Sequence, residues 1–207
     1  MKNNWNQITL KDYKKLNDLL HSDWDSDLSM NLALVSELNN VVAEDLEVNV
    51  LEEYMKSLNF MMTPYKPKTP EKEYIIKDRK YSIFFNVNRM TASQYIDFQN
   101  FYKDYDNKTA NLAACFIIPA GKKYGEDYDP LEEAEFLYDN LTIDIFSDVM
   151  FFFVKLLRTS TQASLISSEK EMKKKLKTEK DPIERKKILR SLIQTRRLHL
   201  LLKNEIE

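Results

Sequence analysis

The chain has 207 residues, 43% hydrophobic and 12% aromatic, enough to bury a core and inconsistent with wholesale disorder. Two glycines and one cysteine exclude glycine-rich phosphate loops, dinucleotide-binding turns, internal disulfides and multi-cysteine metal sites. The net charge of −2 hides a division: residues 1–168 carry 18 basic and 26 acidic residues, whereas 169–203 carry 13 and 5.

The amino terminus, MKNNWNQITL, is polar and has no apolar signal core, so the chain is expected in the cytoplasm. Thr9 and Asp12 have the spacing of a capping box, and Ile8 and Tyr13 that of a hydrophobic staple across it. Leu10, Tyr13, Leu16 and Leu20 then recur at helical spacing. Between His21 and Asp27 the carboxylates alternate as in a calcium loop. Leu28 and Leu34 stand where that loop needs glycine and a bidentate glutamate, so the acids are read as capping the helix that follows. Helices are expected over about Leu28–Asn40 and about Asn49–Asn59, followed by an extended connector through Pro64, Pro67 and Pro70.

Glu73-Tyr74-Ile75-Ile76 and Tyr81-Ser82-Ile83-Phe84-Phe85 flank Lys77-Asp78-Arg79-Lys80 as a hairpin that needs support from other elements or another chain. Thr91 caps the next helix, with Gln94 at the capping-box position and Met90 and Tyr95 as its staple. Tyr95, Phe98, Phe101, Tyr102 and Tyr105 share one side of it, as a core stripe or in part as a docking surface, since tyrosine suits a contact with one wet end. A short helix is expected at 110–117, with Cys115 a small buried hydrophobe. PAGKKYGEDYDP then reads as a solvated loop.

Asp129-Pro130-Leu131-Glu132 and Asp181-Pro182-Ile183-Glu184 mark two helix starts, and Glu132, Glu133 and Glu135 suit the first of these helices through its dipole. Between them Ile143, Phe146, Met150, Phe153 and Leu157, with a second apolar stripe beside them, predict a central helix. Its charges at Asp144, Asp148 and Lys155 leave no uninterrupted membrane span. Beyond Leu157 the sequence is polar and helix-permissive, and a last helix from Pro182 carries leucines among arginines.

No catalytic constellation emerges: His21 and His199 stand apart, without cysteine or a second histidine at ligand spacing, so no enzyme, cofactor or metal is expected. A hydrolase would need one of them gathered with carboxylates from distant segments. The basic tail offers Lys173, Lys174, Lys175, Arg185, Lys186, Lys187, Arg196 and Arg197, as a solvated face, as contacts to an acidic partner, or as contacts to phosphates. It has no aromatic for stacking bases. Candidate partner-binding residues are Tyr95, Phe98, Tyr102, Leu192, Leu198 and Leu201.

The order Tyr81-Ser82-Ile83, Met90-Thr91-Ala92-Ser93-Gln94-Tyr95-Ile96-Asp97-Phe98, Phe116-Ile117-Ile118-Pro119-Ala120-Gly121-Lys122-Lys123-Tyr124 and Met150-Phe151-Phe152-Phe153 resembles small helical proteins encoded among bacteriophage tail and virion genes. Some of these are tail assembly chaperones. The resemblance covers about residues 74–157 and implies a non-enzymatic protein that holds other phage structural proteins, or itself, in the host cytoplasm during assembly, or that stays in the virion. The alternative is a nucleic-acid-associated protein working through its basic tail. A membrane partner is not expected.

The fold is expected to be mainly α, a helical bundle with one small β-hairpin and a long C-terminal helical extension. The expected divisions are an N-terminal helical subdomain at 1–62, a connector at 63–72, a core at 73–160 and a basic, leucine-rich tail at 161–207.

Overall fold

The Thr9 hydroxyl accepts from Asp12 N, and the Asp12 carboxylate accepts from Thr9 N, a complete capping box that opens α1 (Leu10–Leu20). Ile8 is buried, while Tyr13 stands half-open with its ring tilted against that of Trp5. The computed structural model describes residues 1–86 and 89–204, apart from the side chains of 160 and 198–204. α2 (Asp27–Asn39) and α3 (Val48–Ser57) follow. Ser26 caps α2 by accepting from Ser29 N, so the acids take a smaller part than expected, with Asp27 in the first turn.

The hairpin is β1 (Glu73–Ile76) and β2 (Arg79–Ile83), after which come α4 (Ala92–Lys103), α5 (Tyr105–Ala114), β3 (Ile117–Pro119), α6 (Pro130–Asn140), α7 (Ile143–Thr178) and α8 (Pro182–Asn204). The architecture is mainly α with a small antiparallel sheet in the order β1-β2-β3. Among the described residues, no helix is long and apolar enough to cross a membrane.

Two details of the sheet differ from expectation. Ile76 pairs with Arg79, so Lys77 and Asp78 alone make the turn, and Lys77 adopts a left-handed φ of 55° without help from glycine. The helix expected to include Ile117 stops at Ala114, because Ile117 and Ile118 pair with Ile83 and Ser82 instead. A short apolar run fits a buried strand as well as a helical turn, and the open edge of β2 decides between them.

The chain divides into two compact units, Met1–Phe152 and Phe153–Glu207. The expected N-terminal subdomain is therefore part of the first unit. Leu10 N donates to Leu141 O at 2.9 Å and Ile143 N to Ile8 O at 2.8 Å, fastening the start of α1 to the α6–α7 junction. Within this unit α1 packs on α2 and α6, and α5 on α4 and α6. Ile8, Leu16, Val35, Leu112, Leu137 and Val149 fill its interior. The proline connector is extended, as expected, but also pinned: the buried Asp148 accepts from Tyr65 OH at 3.0 Å and from Lys68 N at 2.6 Å.

The loop between β3 and α6 is not simply solvated. Tyr124 and Tyr128 are buried with their rings edge to face, and Tyr128 OH donates to Ala114 O at 2.8 Å. Gly121 and Gly125 supply the positive φ values that let the loop fold back over them. Asp129 caps α6 by accepting from Leu131 N, with Pro130 in the first turn.

In the second unit, the polar stretch after Leu157 continues as regular helix to Thr178. The hydroxyls of Thr159 and Thr161 donate to carbonyls four residues back. Among the described residues after Leu157, the sheltered aliphatics are Leu165, Met172 and Leu176 on α7 and Ile188 and Leu192 on α8, at heptad-like spacing. Asp181 caps α8 by accepting from Ile183 N.

Candidate binding surface

Thr91 caps α4 by accepting from Gln94 N at 3.2 Å, yet Gln94 does not complete a capping box. Its side chain is only 1% exposed, and Nε2 donates to the Cys115 carbonyl. The buried side of α4 is therefore Gln94, Phe98 and Phe101, spaced by four and three residues. This splits the aromatic stripe read from the sequence. Phe98 is core, packed against Phe116 and Tyr102, and cannot serve as a partner contact. Tyr95 and Tyr102 stand outside it at 51% and 55% exposure.

Tyr95 and Tyr102 lie two helical turns apart on one flank, and the chain then enters α5 at Tyr105, itself 43% exposed. Partial burial, together with the proximity of Tyr13, Asp106 and Tyr102, raises the Tyr105 hydroxyl above its ordinary pKa. Tyr105 opens α5 directly after α4 and lines a cleft shared with α1. The cleft has a volume of about 1090 Å³, and its walls also include Tyr13, Leu16, Tyr65, Tyr138 and Phe146. Trp5 also lines it, its Nε1 donating to Thr63 O at 3.2 Å and its ring meeting Phe60 edge to face. Asp18, Asp106 and Glu135 contribute carboxylates to the lining against one ammonium, Lys14.

Leu10, Tyr13, Leu16 and Leu20 all line this cleft, so the apolar stripe of α1 is only partly covered by its own fold. The stripe was legible; its openness was not. The available signal was the residue type: tyrosine at 13 and 105, where leucine or phenylalanine would serve a closed core. Trp5 carried no helical periodicity and was missed.

A different surface lies on the second unit. Lys173 and Arg196 both reach the Glu169 carboxylate, at 2.6 and 3.0 Å, while Lys175 pairs with Glu171 and Lys187 with Glu184. Lys174, Arg185, Lys186 and Arg197 are exposed and have no acidic partner among the described residues. Leu192 is 5% exposed, so it holds the helices together and is withdrawn from the contact residues. The side chains of Leu198 and Leu201 lie outside the described residues.

His21 and Glu133 hold the fold together. His21 closes α1, with its Nδ1 2.8 Å from Asn17 O. Glu133 accepts from Tyr81 OH and from Arg79 Nη1, joining α6 to the hairpin. Among the described residues, no group of three or more His, Cys, Asp or Glu side chains is placed to share a metal ion. No protein-family model matches the chain, and no characterised protein or solved structure matches it.

Proposed function

We propose that this chain works by protein–protein contact, as a bacteriophage assembly or virion-associated protein of the tail-assembly-chaperone kind. One observation carries the contact reading: the exposed Tyr105 stands at an aromatic cleft that the fold leaves open, and Tyr95 and Tyr102 are exposed together on one flank of the preceding helix. Tyrosine suits such a surface because it buries a large rigid ring at little entropic cost and keeps its hydroxyl wet. The carboxylates of the lining favour a partner segment that carries basic as well as apolar groups. The phage setting rests on the resemblance of the stretches 81–83, 90–98, 116–124 and 150–153, which implies the host cytoplasm during assembly or the particle itself.

Affinity capture from phage-infected cells tests this reading, with full-length chain and a Tyr95→Ser, Tyr102→Ser, Tyr105→Ser variant washed at low and then high salt. Tail or capsid proteins retained through the high-salt wash, and lost from the variant, are the expected result. Recovery of nucleic acid alone, released by salt, or equal recovery by both proteins, overturns it.

A further inference from the structure

The hairpin of the second unit has two unlike flanks. Glu169 receives Lys173 from its own helix and Arg196 from across the hairpin, and these three residues mark one flank. Ile166 lies on that flank, three residues before Glu169. Leu189 and Ile193 lie on it too, seven and three residues before Arg196. All three aliphatics are open, at 40%, 45% and 47% exposure. Lys170 and Lys177 border them on α7 and Lys186 on α8, none with an acidic partner among the described residues. On the opposite flank the charges are satisfied internally, Lys175 by Glu171 at 2.8 Å and Lys187 by Glu184 at 2.6 Å.

We propose that the first flank docks an acidic amphipathic helix of a partner protein. The partner's apolar stripe lies against Ile166, Leu189 and Ile193, and its carboxylates meet Lys170, Lys177 and Lys186. Apolar residues at the centre of a surface with unpaired charges around them are the pattern of a protein interface. A phosphate backbone would use the cations but gain nothing from the aliphatics, and this unit has no aromatic beyond Glu169 to stack bases. A second copy presenting the same flank is disfavoured, since residues 169–203 carry 13 basic and 5 acidic residues and would repel their equivalent. The stretch from Ile166 to Lys177 spans about 16 Å of helix, so three turns of partner cover it. This site is separate from the tyrosine surface and does not depend on it.

The test uses full-length protein and three labelled probes: a synthetic helical peptide with leucine on one face and glutamate elsewhere, the same peptide with serine for leucine, and a short DNA duplex. The Leu–Glu peptide should bind, and the serine peptide should bind at least about tenfold more weakly. A Leu189→Ser, Ile193→Ser variant should lose about tenfold in affinity for the first peptide. These residues are exposed, and unchanged helical circular dichroism will show that the variant folds. A Lys170→Ser, Lys177→Ser, Lys186→Ser variant should lose a similar factor at low salt. The proposal is overturned if the Leu–Glu peptide fails to bind, if the aliphatic variant binds it as well as wild type, or if the duplex binds more tightly and is released steeply by salt.

Discussion

Gln94 Nε2 donates to the Cys115 carbonyl at 2.7 Å in the interior, joining the first turn of α4 to the end of α5. A buried carbonyl left without a donor costs about 1–3 kcal/mol, whereas an exposed one costs almost nothing. Gln94→Leu keeps the volume and removes the donor. It should destabilise the protein by about 2 kcal/mol in urea unfolding. A loss below about 0.5 kcal/mol would mean that water or a shifted backbone replaces the bond.

Lys77 turns the hairpin in the left-handed region at φ 55°, which disfavours any residue bearing a Cβ. Glycine there relieves the strain, partly offset by greater freedom in the unfolded chain. Lys77→Gly should therefore stabilise the protein, by about 0.5–1 kcal/mol, with the slope against denaturant unchanged. Lys77→Val should move the midpoint the other way, because a β-branched side chain tolerates this conformation least. Equal midpoints for the two variants would show that the turn is not held as described.

Features that depend on neighbours in sequence were legible. The Thr9, Thr91, Asp129 and Asp181 caps, the proline connector and the hairpin each follow from side chains within a few residues. Features that depend on distant partners were not. Gln94 has the spacing of a capping box, but the Cys115 carbonyl competes for its amide and wins. Glu133 reads as a dipole acid until Tyr81 and Arg79 arrive from the hairpin. Phe116-Ile117-Ile118 suits helix or strand until β2 offers an edge. The candidate surface was half visible for the same reason. Helical periodicity groups Tyr95, Phe98 and Tyr102, but only packing of α4 on α5 shows which of them the fold covers.

Alkali should unfold the protein through its buried hydroxyls and thiol. Burial, then the hydrogen bond to Asp148, pushes the Tyr65 hydroxyl up to about 12. Burial also pushes the Cys115 thiol up to about 12, against an opposing hydrogen bond with Tyr124. Tyr81, Tyr124 and Tyr128 move in the same direction, again chiefly through burial. Because these values are raised in the folded state, the unfolded chain ionises first, near the ordinary 9.0 for cysteine and 10.0 for tyrosine. Their stabilisation is complete below those values and is lost as pH rises toward the folded ones. The urea midpoint should fall from about pH 9 upward, with tyrosinate absorbance rising together with the loss of helical circular dichroism. At neutral pH Cys115 should resist a thiol reagent until the chain unfolds, since its sulfur is buried and protonated. Rapid labelling of the native protein would contradict the burial.

Asp148 gathers the connector by accepting from Tyr65 OH and Lys68 N with one oxygen, at 3.0 and 2.6 Å. Hydrogen bonds to an ionised carboxylate contribute about 1.5–3 kcal/mol each, and removing a shared acceptor strands both donors. Asp148→Ala should cost about 3 kcal/mol and open 63–72 to proteases, because three prolines leave that segment few backbone donors of its own. Asp148→Asn retains one oxygen and should cost about half as much, while Tyr65→Phe, losing a single donor, should cost about 1 kcal/mol. Tyr65 also lines the aromatic cleft, so if the proposed contact function holds, loosening the connector should weaken binding there even in variants that stay folded. If Asp148→Ala weakens capture of the cleft's partner no more than its loss of stability explains, the connector is a strap for the fold alone. A larger loss of affinity, with Tyr65→Phe showing the same effect in miniature, would make it part of the binding surface.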